Sequence, residues 1–515
     1  MTVGTTTLAN IVASFSGRGI GTILGFVFVP IYIKLLGIES YGLVGLQGTI
    51  AAVFGLLDLG ASATITREIA IDSSTRERKS SIGDVIRSFE VLYLGMAVLI
   101  ALLAFPVARF LAQGWLNPNN IPLSVVEAAI MLMIGDVALK LLSGVYFGAL
   151  VGLQRHLLLN ALMTGSDIIR YLGTTAVLLW GAKSVVAFAA CQLATSVLYT
   201  AVICAATWRC LPNSSYSLAQ ASVATIRRTA RFAVAMTGVS MSNMFLTQID
   251  KIVLSKLLSL ENFGFYSIAT RIPIIISGLL MHPVLFAVNP RFSQLLFSGD
   301  RARAVQFFHR ACQLISILTV SSCAVAVCFS HDIMLVWTQN LQVAENTSLL
   351  VKLLVCSSLF LFISAGPWIL RYAHGKVSIA TYWNVIAALL LMPMFVIANA
   401  RYGVTGAVAV MIPVYGLHCV ALTISTFKLF FGSELKTWLV ADVLLPALAS
   451  SAIVALIYFL SRSYLLPEVI WLIIALGAGL LASMLVARSV RVIFLLQVKR
   501  FCQMIGISRC QTSES

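Results

Sequence analysis

Charge is scarce in this chain. Only 10% of its 515 residues are Asp, Glu, Lys or Arg, against about 25% in a typical soluble domain. Acidic residues are the scarcer kind, 19 against 35 Lys and Arg. A water-soluble fold of this length needs a polar exterior that the composition cannot supply. Long polar loops are missing too, so no catalytic domain is inserted anywhere. GxxxxGK[ST], HExxH and GxSxG do not occur, which removes the P-loop, zinc-hydrolase and nucleophile-elbow readings. The ten cysteines never fall in CxxC spacing, so neither a zinc site nor a disulfide framework is expected. The histidines are far apart in sequence. No enzyme activity and no cofactor are expected.

What the chain has instead is hydrophobic surface. Fifty-nine per cent of residues are hydrophobic, in recurring runs of the length a bilayer-spanning helix needs, about 20 residues. The reading is an all-α polytopic membrane protein with about fourteen transmembrane helices, the first near 11–36 and the last near 468–490. No basic residue precedes Arg18 and no cleavage motif follows, so the first helix is expected to be retained. Breakers support the cuts, among them Asn117-Pro118-Asn119-Asn120, Gly403 and Pro467.

The formal net charge of +16 invites a nucleic-acid reading, but the basic residues are split among short loops and form no stripe. Alternate loops sort them: one set, with the C-terminal tail, holds 23, from Arg67 and Arg76 to Arg509. The opposite set holds 5: Arg109, Lys183, Lys256, Arg401 and Arg462. Excess Lys and Arg mark cytoplasmic loops, which puts both termini in the cytoplasm.

A turn recurs. Leu35, Leu36, Glu39 and Gly42 fall on Leu257, Leu258, Glu261 and Gly264, each displaced by 222 residues, and Tyr41 meets Phe263 in the same register. Six spans precede the polar stretch 209–231 and six follow. Six is even, so the copies enter the membrane in the same direction. A parallel repeat handles substrate between its halves. The expected domains are an N-lobe at 1–208, a cytoplasmic linker at 209–231, a C-lobe at 232–431, two further helices within 432–490, and a tail at 491–515.

Seven basic residues fall inside spans. A central Lys or Arg there costs about 2.5–3.5 kcal/mol on insertion scales, so each needs a partner, a wet cavity or a short reach to the interface. Lys34 and Lys352 lie near span ends and can snorkel. Lys140 follows Asp136 by four residues and Arg170 follows Asp167 by three, which places acid and base on one helix face. Two readings stay open for these pairs: self-neutralisation, or the lining of a polar cavity. Asp250 and Lys251 are adjacent and must point apart. Arg18 and Arg271 have no acid within a turn. Together Arg18, Lys140, Arg170, Lys251 and Arg271 form a candidate cationic cavity for a phosphate-bearing substrate; the alternative is structural pairing with buried acids. Asp58, Asp136, Asp167 and Asp250 are the ion-coupling candidates. Gly17, Gly21 and Gly25 repeat every four residues, a spacing for close helix packing. Pro30, Pro273, Pro283 and Pro290 are candidate kinks.

LGxxxYGL followed by LLDLG and Arg67, with Asp250, Tyr266-Ser267 and Pro290-Arg291-Phe292-Ser293 in the second half, resembles the multidrug/oligosaccharidyl-lipid/polysaccharide exporters. Within that superfamily the pattern is most similar to Wzx-type O-antigen repeat-unit flippases. The resemblance implies two six-helix lobes working by alternating access. The implied substrate is an undecaprenyl-pyrophosphate-linked oligosaccharide, moved across a bacterial inner membrane with ion-gradient coupling. Membrane lipid, a polysaccharide polymerase and a chain-length regulator follow as partners. The two extra helices suggest a groove for the lipid tail, as in lipid II flippases. A lipid II flippase and a multidrug-and-toxin-extrusion antiporter are the rivals in the superfamily. A membrane sugar polymerase or ligase is a rival of another class, and it would need a larger external loop.

Overall fold

The computed structural model describes residues 19–58, 60–74, 81–211, 221–376, 378–463, 466–487 and 490. Helices account for nearly all of them, and the one extended pairing among these residues is an isolated bridge between Asn117 and Ser259. Among the described residues, eleven helices are long and apolar enough to cross a bilayer, fewer than the fourteen expected. Three more long helices, Leu123–Gly152, His156–Trp180 and Val223–Leu257, occupy the remaining expected positions. They carry Lys140, Arg170 and Lys251, with Asp136, Asp167 and Asp250.

The chain divides into two compact units: Met1–Ile268 with Asn384–Ala407, and Ala269–Trp383 with Val408–Ser515. The first contains α1 (Gly19–Leu36), α2 (Ile38–Gly55), α3 (Ala61–Ser74), α4 (Ser81–Phe110), α5 (Leu123–Gly152), α6 (His156–Trp180), α7 (Val185–Arg209) and α8 (Val223–Leu257). Its centre is α5, which packs against α2, α3, α4, α6 and α7. Glycines set the closest of these approaches. Gly144, Gly148 and Gly152 form a strip against α3. A Cβ there would lie 3.1 Å from Ser62 Oγ, 2.6 Å from the Ser62 carbonyl oxygen and 2.9 Å from that of Thr66.

The turn between α1 and α2 depends on Gly37, whose φ of +82° an L side chain rarely adopts. Its N–H closes α1 by donating to the Ile33 carbonyl at 2.9 Å.

α9 (Leu260–Phe297) begins in the first unit and continues into the second. A π-helical segment, Ser277–Met281, interrupts it just before Pro283, and Pro290 lies within the helix beyond. Such a bulge and a proline are the recognised causes of a bend. The second unit continues with α10 (Arg301–Cys328), α11 (Ser330–Thr338) and α12 (Leu341–Ala373). α13 (Ser378–Ala409) passes through the first unit and bends at Gly403, where φ is +63°. Then come α14 (Met411–Phe430), α15 (Gly432–Ser461) and α16 (Glu468–Val486). Here α10 is central. It packs against the second-unit part of α9 and against α12, α15 and α16.

Buried hydroxyls and a histidine fix the last two helices to α10. Ser450 on α15 donates to Ser321 at 2.9 Å, and Ser321 and Ser483 of α16 lie 3.1 Å apart. Nearer the start of α10, His309 stands 2.5 Å from Asp442 and 3.2 Å from Glu434. Gln313 donates to the other Asp442 oxygen at 2.9 Å.

Candidate functional site

The polar centre of the first unit is built around Asp136 on α5, which is fully buried. An unpaired carboxylate at that depth would carry a large desolvation cost, and three helices supply partners. Lys140, one turn along α5, places Nζ 2.7 Å from Oδ2. Gln47 of α2 donates to the same oxygen at 2.8 Å, and Ser196 of α7 donates to Oδ1. Arg170 reaches in from α6 and donates to Ser196 at 2.9 Å. The guanidinium Nε of Arg170 is buried without a hydrogen-bond partner. Lys140 keeps 35% of its side chain exposed, so the network has a dry acidic end and a basic end that reaches accessible space.

Asp167 makes no hydrogen bond into that network, although it lies within electrostatic reach of Arg170 and Lys140. No ion pair within 4.0 Å joins it to Arg170, although the two are three residues apart on α6. Its carboxylate instead lies against α1, where a Cβ on Gly21 would meet Oδ2 at 2.7 Å. One turn on, Gly25 leaves the same room for the Tyr171 hydroxyl at 3.0 Å. The four-residue glycine spacing of α1 thus admits two α6 side chains. Gly17 of that pattern lies outside the described residues.

Asp58 closes the short turn after α2 and accepts from Ser62 at 2.9 Å and Tyr93 at 3.0 Å. Those contacts tie the start of α3 to α4. Asp250 on α8 is buried. It accepts from Tyr266 through Oδ2, while Oδ1 has no partner among the described residues. Lys251 points elsewhere, 3.2 Å from Gln248 on its own helix. Arg271 belongs to the second compact unit. Arg18 lies outside the described residues. Of the five candidate cationic residues, Lys140 and Arg170 are brought together.

Gln47, Ser196 and Tyr266 carry no charge, and nothing in an apolar span marks such residues from sequence. The glycines of α5 did have a signal, since 144, 148 and 152 repeat at the same interval as 17, 21 and 25. Among the described residues no group of three or more His, Cys, Asp or Glu side chains is arranged to hold a metal ion.

The duplicated turn forms a second feature, within the first unit. A Cβ on Gly42 would collide with the Leu260 carbonyl oxygen, and one on Gly264 would collide with the Ile38 carbonyl oxygen. These two contacts exchange under the same 222-residue displacement that relates the copies. Gly45 faces its own counterpart, Ser267: a Cβ on Gly45 would lie 2.6 Å from that of Ser267. The segment between α4 and α5 then clasps both copies. Asn117 accepts from Leu260 N at 3.0 Å and donates to the Lys256 carbonyl at 3.0 Å. Glu39 accepts from the Asn120 backbone at 3.1 Å. Trp115 Nε1 donates to Ser255 at 3.0 Å, and Lys256 lies 5.2 Å over the Trp115 ring.

Comparison with known proteins agrees with this architecture. Residues 7–296 match the family described as polysaccharide biosynthesis protein. The chain is similar to the succinoglycan biosynthesis transport protein ExoT of Rhizobium meliloti (strain 1021), 26% identical over 302 residues. That alignment covers 57% of this chain and only 55% of the relative's length. Among solved structures it is similar to the lipid II flippase MurJ in an inward closed conformation. The TM-score is 0.71 at 16% identity, over 93% of this chain and 98% of that one. It is also similar to a multidrug resistance transporter of the MATE family in an inward-facing conformation, with TM-score 0.63 at 16% identity, over 83% and 99% of the chains. At such identities the structural likeness shows a shared transporter fold. These relatives and neighbours are transporters and flippases, not enzymes.

Proposed function

Because this chain belongs to the polysaccharide biosynthesis protein family, we propose that it is a flippase for lipid-linked saccharides. It turns undecaprenyl-pyrophosphate-linked O-antigen or polysaccharide repeat units from the cytoplasmic to the periplasmic leaflet of a bacterial inner membrane. The mechanism is alternating access, driven by an ion gradient, with both termini in the cytoplasm. Lys140 and Arg170 meet the pyrophosphate, and Arg18, Lys251 and Arg271 are further candidates for that role. Asp58, Asp136, Asp167 and Asp250 are the groups to test for ion coupling. A polysaccharide polymerase and a chain-length regulator act downstream as partners.

The observation that carries this reading is the reciprocal glycine contact between the two copies of the turn. Backbones this close hold the two copies together at that level, and the proposed mechanism has them part during transport. In the proposed topology, with excess Lys and Arg in the opposite loops, this level lies on the periplasmic side.

The bridge from Asn117 to Ser259 offers the test, since such neighbours fall within the roughly 4.4–6.8 Å Cα separation of a disulfide. Asn117→Cys with Ser259→Cys, oxidised, should stop translocation of lipid-linked saccharide in proteoliposomes, and reduction should restore it. Undiminished transport by the cross-linked protein would refute the mechanism. Deleting the gene should leave cytoplasmic-side lipid-linked oligosaccharide; accumulation of lipid II instead would reassign the substrate.

A further inference from the structure

His309 of α10 stands between two carboxylates of α15, within the second unit. Its Nδ1 lies 2.5 Å from Asp442 Oδ2, and its Nε2 lies 3.2 Å from Glu434 Oε2. Each of these nitrogen-to-oxygen contacts needs a proton of its own. The other Asp442 oxygen accepts from Gln313, so it serves as an acceptor there. A neutral imidazole offers one N–H and one lone pair; only the imidazolium donates from both nitrogens. The arrangement therefore holds one proton more than a neutral histidine brings to two carboxylates.

The two contacts differ in their surroundings. Asp442 keeps 1% of its side chain exposed, His309 12% and Glu434 28%. Water reaches the Glu434 side, which is also the side of the longer contact. When the extra proton leaves, the remaining N–H stays with buried Asp442, and the Nε2 lone pair is left facing the Glu434 carboxylate. Two acceptors repel, and Glu434 has water to turn to. Cys312 also faces Asp442. Charged groups on the neighbouring elements point elsewhere: His282 and Arg291 of α9, Lys428 of α14 and Lys436 of α15 are exposed. Arg371 of α12 donates to Thr426 of α14. Apolar side chains, among them Phe292, Phe308, Ile369 and Val443, pack around this part of α10.

Glu434 ends the single turn Gly432–Glu434 with which α15 opens, and Asp442 lies in the π-helical segment Trp438–Leu444 that follows. Such segments recur at functional sites. Further along, Ser450 joins α15 to Ser321. α15 thus has a fixed joint along its length and a proton-dependent contact at its first turn.

We propose that His309, Glu434 and Asp442 form a proton-operated latch: the doubly protonated ring holds the first turn of α15 to α10, and loss of one proton releases it. The proton count sets the sign. The latch is closed at low pH and opens as pH rises through the titration of the ring, whose type of side chain ordinarily changes charge near neutrality. In the topology proposed above this turn is cytoplasmic, so the latch reads cytoplasmic pH; only that sidedness rests on the flippase reading.

Fluorine NMR tests the latch on the full-length protein in detergent, with 5-fluorotryptophan in place of tryptophan. Trp438 is the reporter, since it is buried four residues before Asp442 and packs on Phe427 at 5.1 Å. Its signal is the one missing from Trp438→Phe. Between about pH 5 and 9 that resonance should shift in the wild type and return on reacidification. Glu434→Gln supplies an amide N–H that bonds the neutral ring, and His309→Gln removes the titrating group; each should abolish most of the shift. A Trp438 resonance that does not move with pH, or that moves undiminished in either variant, would overturn the latch. Failure of the flippase reading would look different: the titration would persist in a protein that moves no lipid-linked saccharide in proteoliposomes.

Discussion

The two central helices, α5 and α10, bury polar groups of different kinds. Around α5 the partners include an ion pair and a second cation, and Lys140 remains one-third exposed. Around α10 the mid-helix partners are three fully buried serines that satisfy one another, with His309, Gln313 and Asp442 nearer its start. Buried charge costs several kcal/mol even when paired, whereas a hydroxyl ladder in a membrane helix contributes modestly and reliably. The hydroxyls therefore suit a permanent joint that fixes α15 and α16 to α10. The charges, one of them reaching accessible space, suit a surface that exchanges partners during transport.

The largest effect should come from breaking the α5 network. Asp136→Leu leaves Lys140, Gln47 and Ser196 without their common acceptor, and should destabilise the protein by about 3–5 kcal/mol in thermal unfolding in detergent. Asp136→Asn keeps the hydrogen-bonding shape; it should fold, yet lose gradient-dependent transport. Asp442→Leu removes the acceptor of Gln313 and the partner of His309 in the second unit, at about 1–3 kcal/mol. Its smaller loss of stability should leave residual flux in the same proteoliposome assay. Ser321→Ala should cost about 0.6–1.7 kcal/mol with transport unaffected; a transport defect at normal stability would contradict the static role of α10. The smallest change in stability is expected from Gly21→Ala. The atom it meets is the far end of the Asp167 side chain, which can swing away, so a slower transport rate with little change in unfolding temperature is expected.

Some of this network was legible in the residues. The four-residue spacing of Asp136 and Lys140 does produce an ion pair, because neighbours one turn apart on α5 lie on the same face. The three-residue spacing of Asp167 and Arg170 does not, since α7 offers Arg170 a hydroxyl and α1 offers Asp167 space over Gly21. Helical spacing makes a pair available, and the adjoining helices decide whether it forms. For the same reason neither Gln47 nor Ser196 could be recognised as a partner of Asp136.

Composition and periodicity by themselves determined a multi-pass helical membrane protein, because the bilayer leaves a chain with so few charges no other solvent. The repeated turn was equally visible, as an interval of 222 residues. That its two copies meet at Gly42 and Gly264, backbone against backbone, was decided by the tertiary structure alone. A glycine records only that a side chain is missing; which carbonyl fills the vacated space depends on a helix more than two hundred residues away.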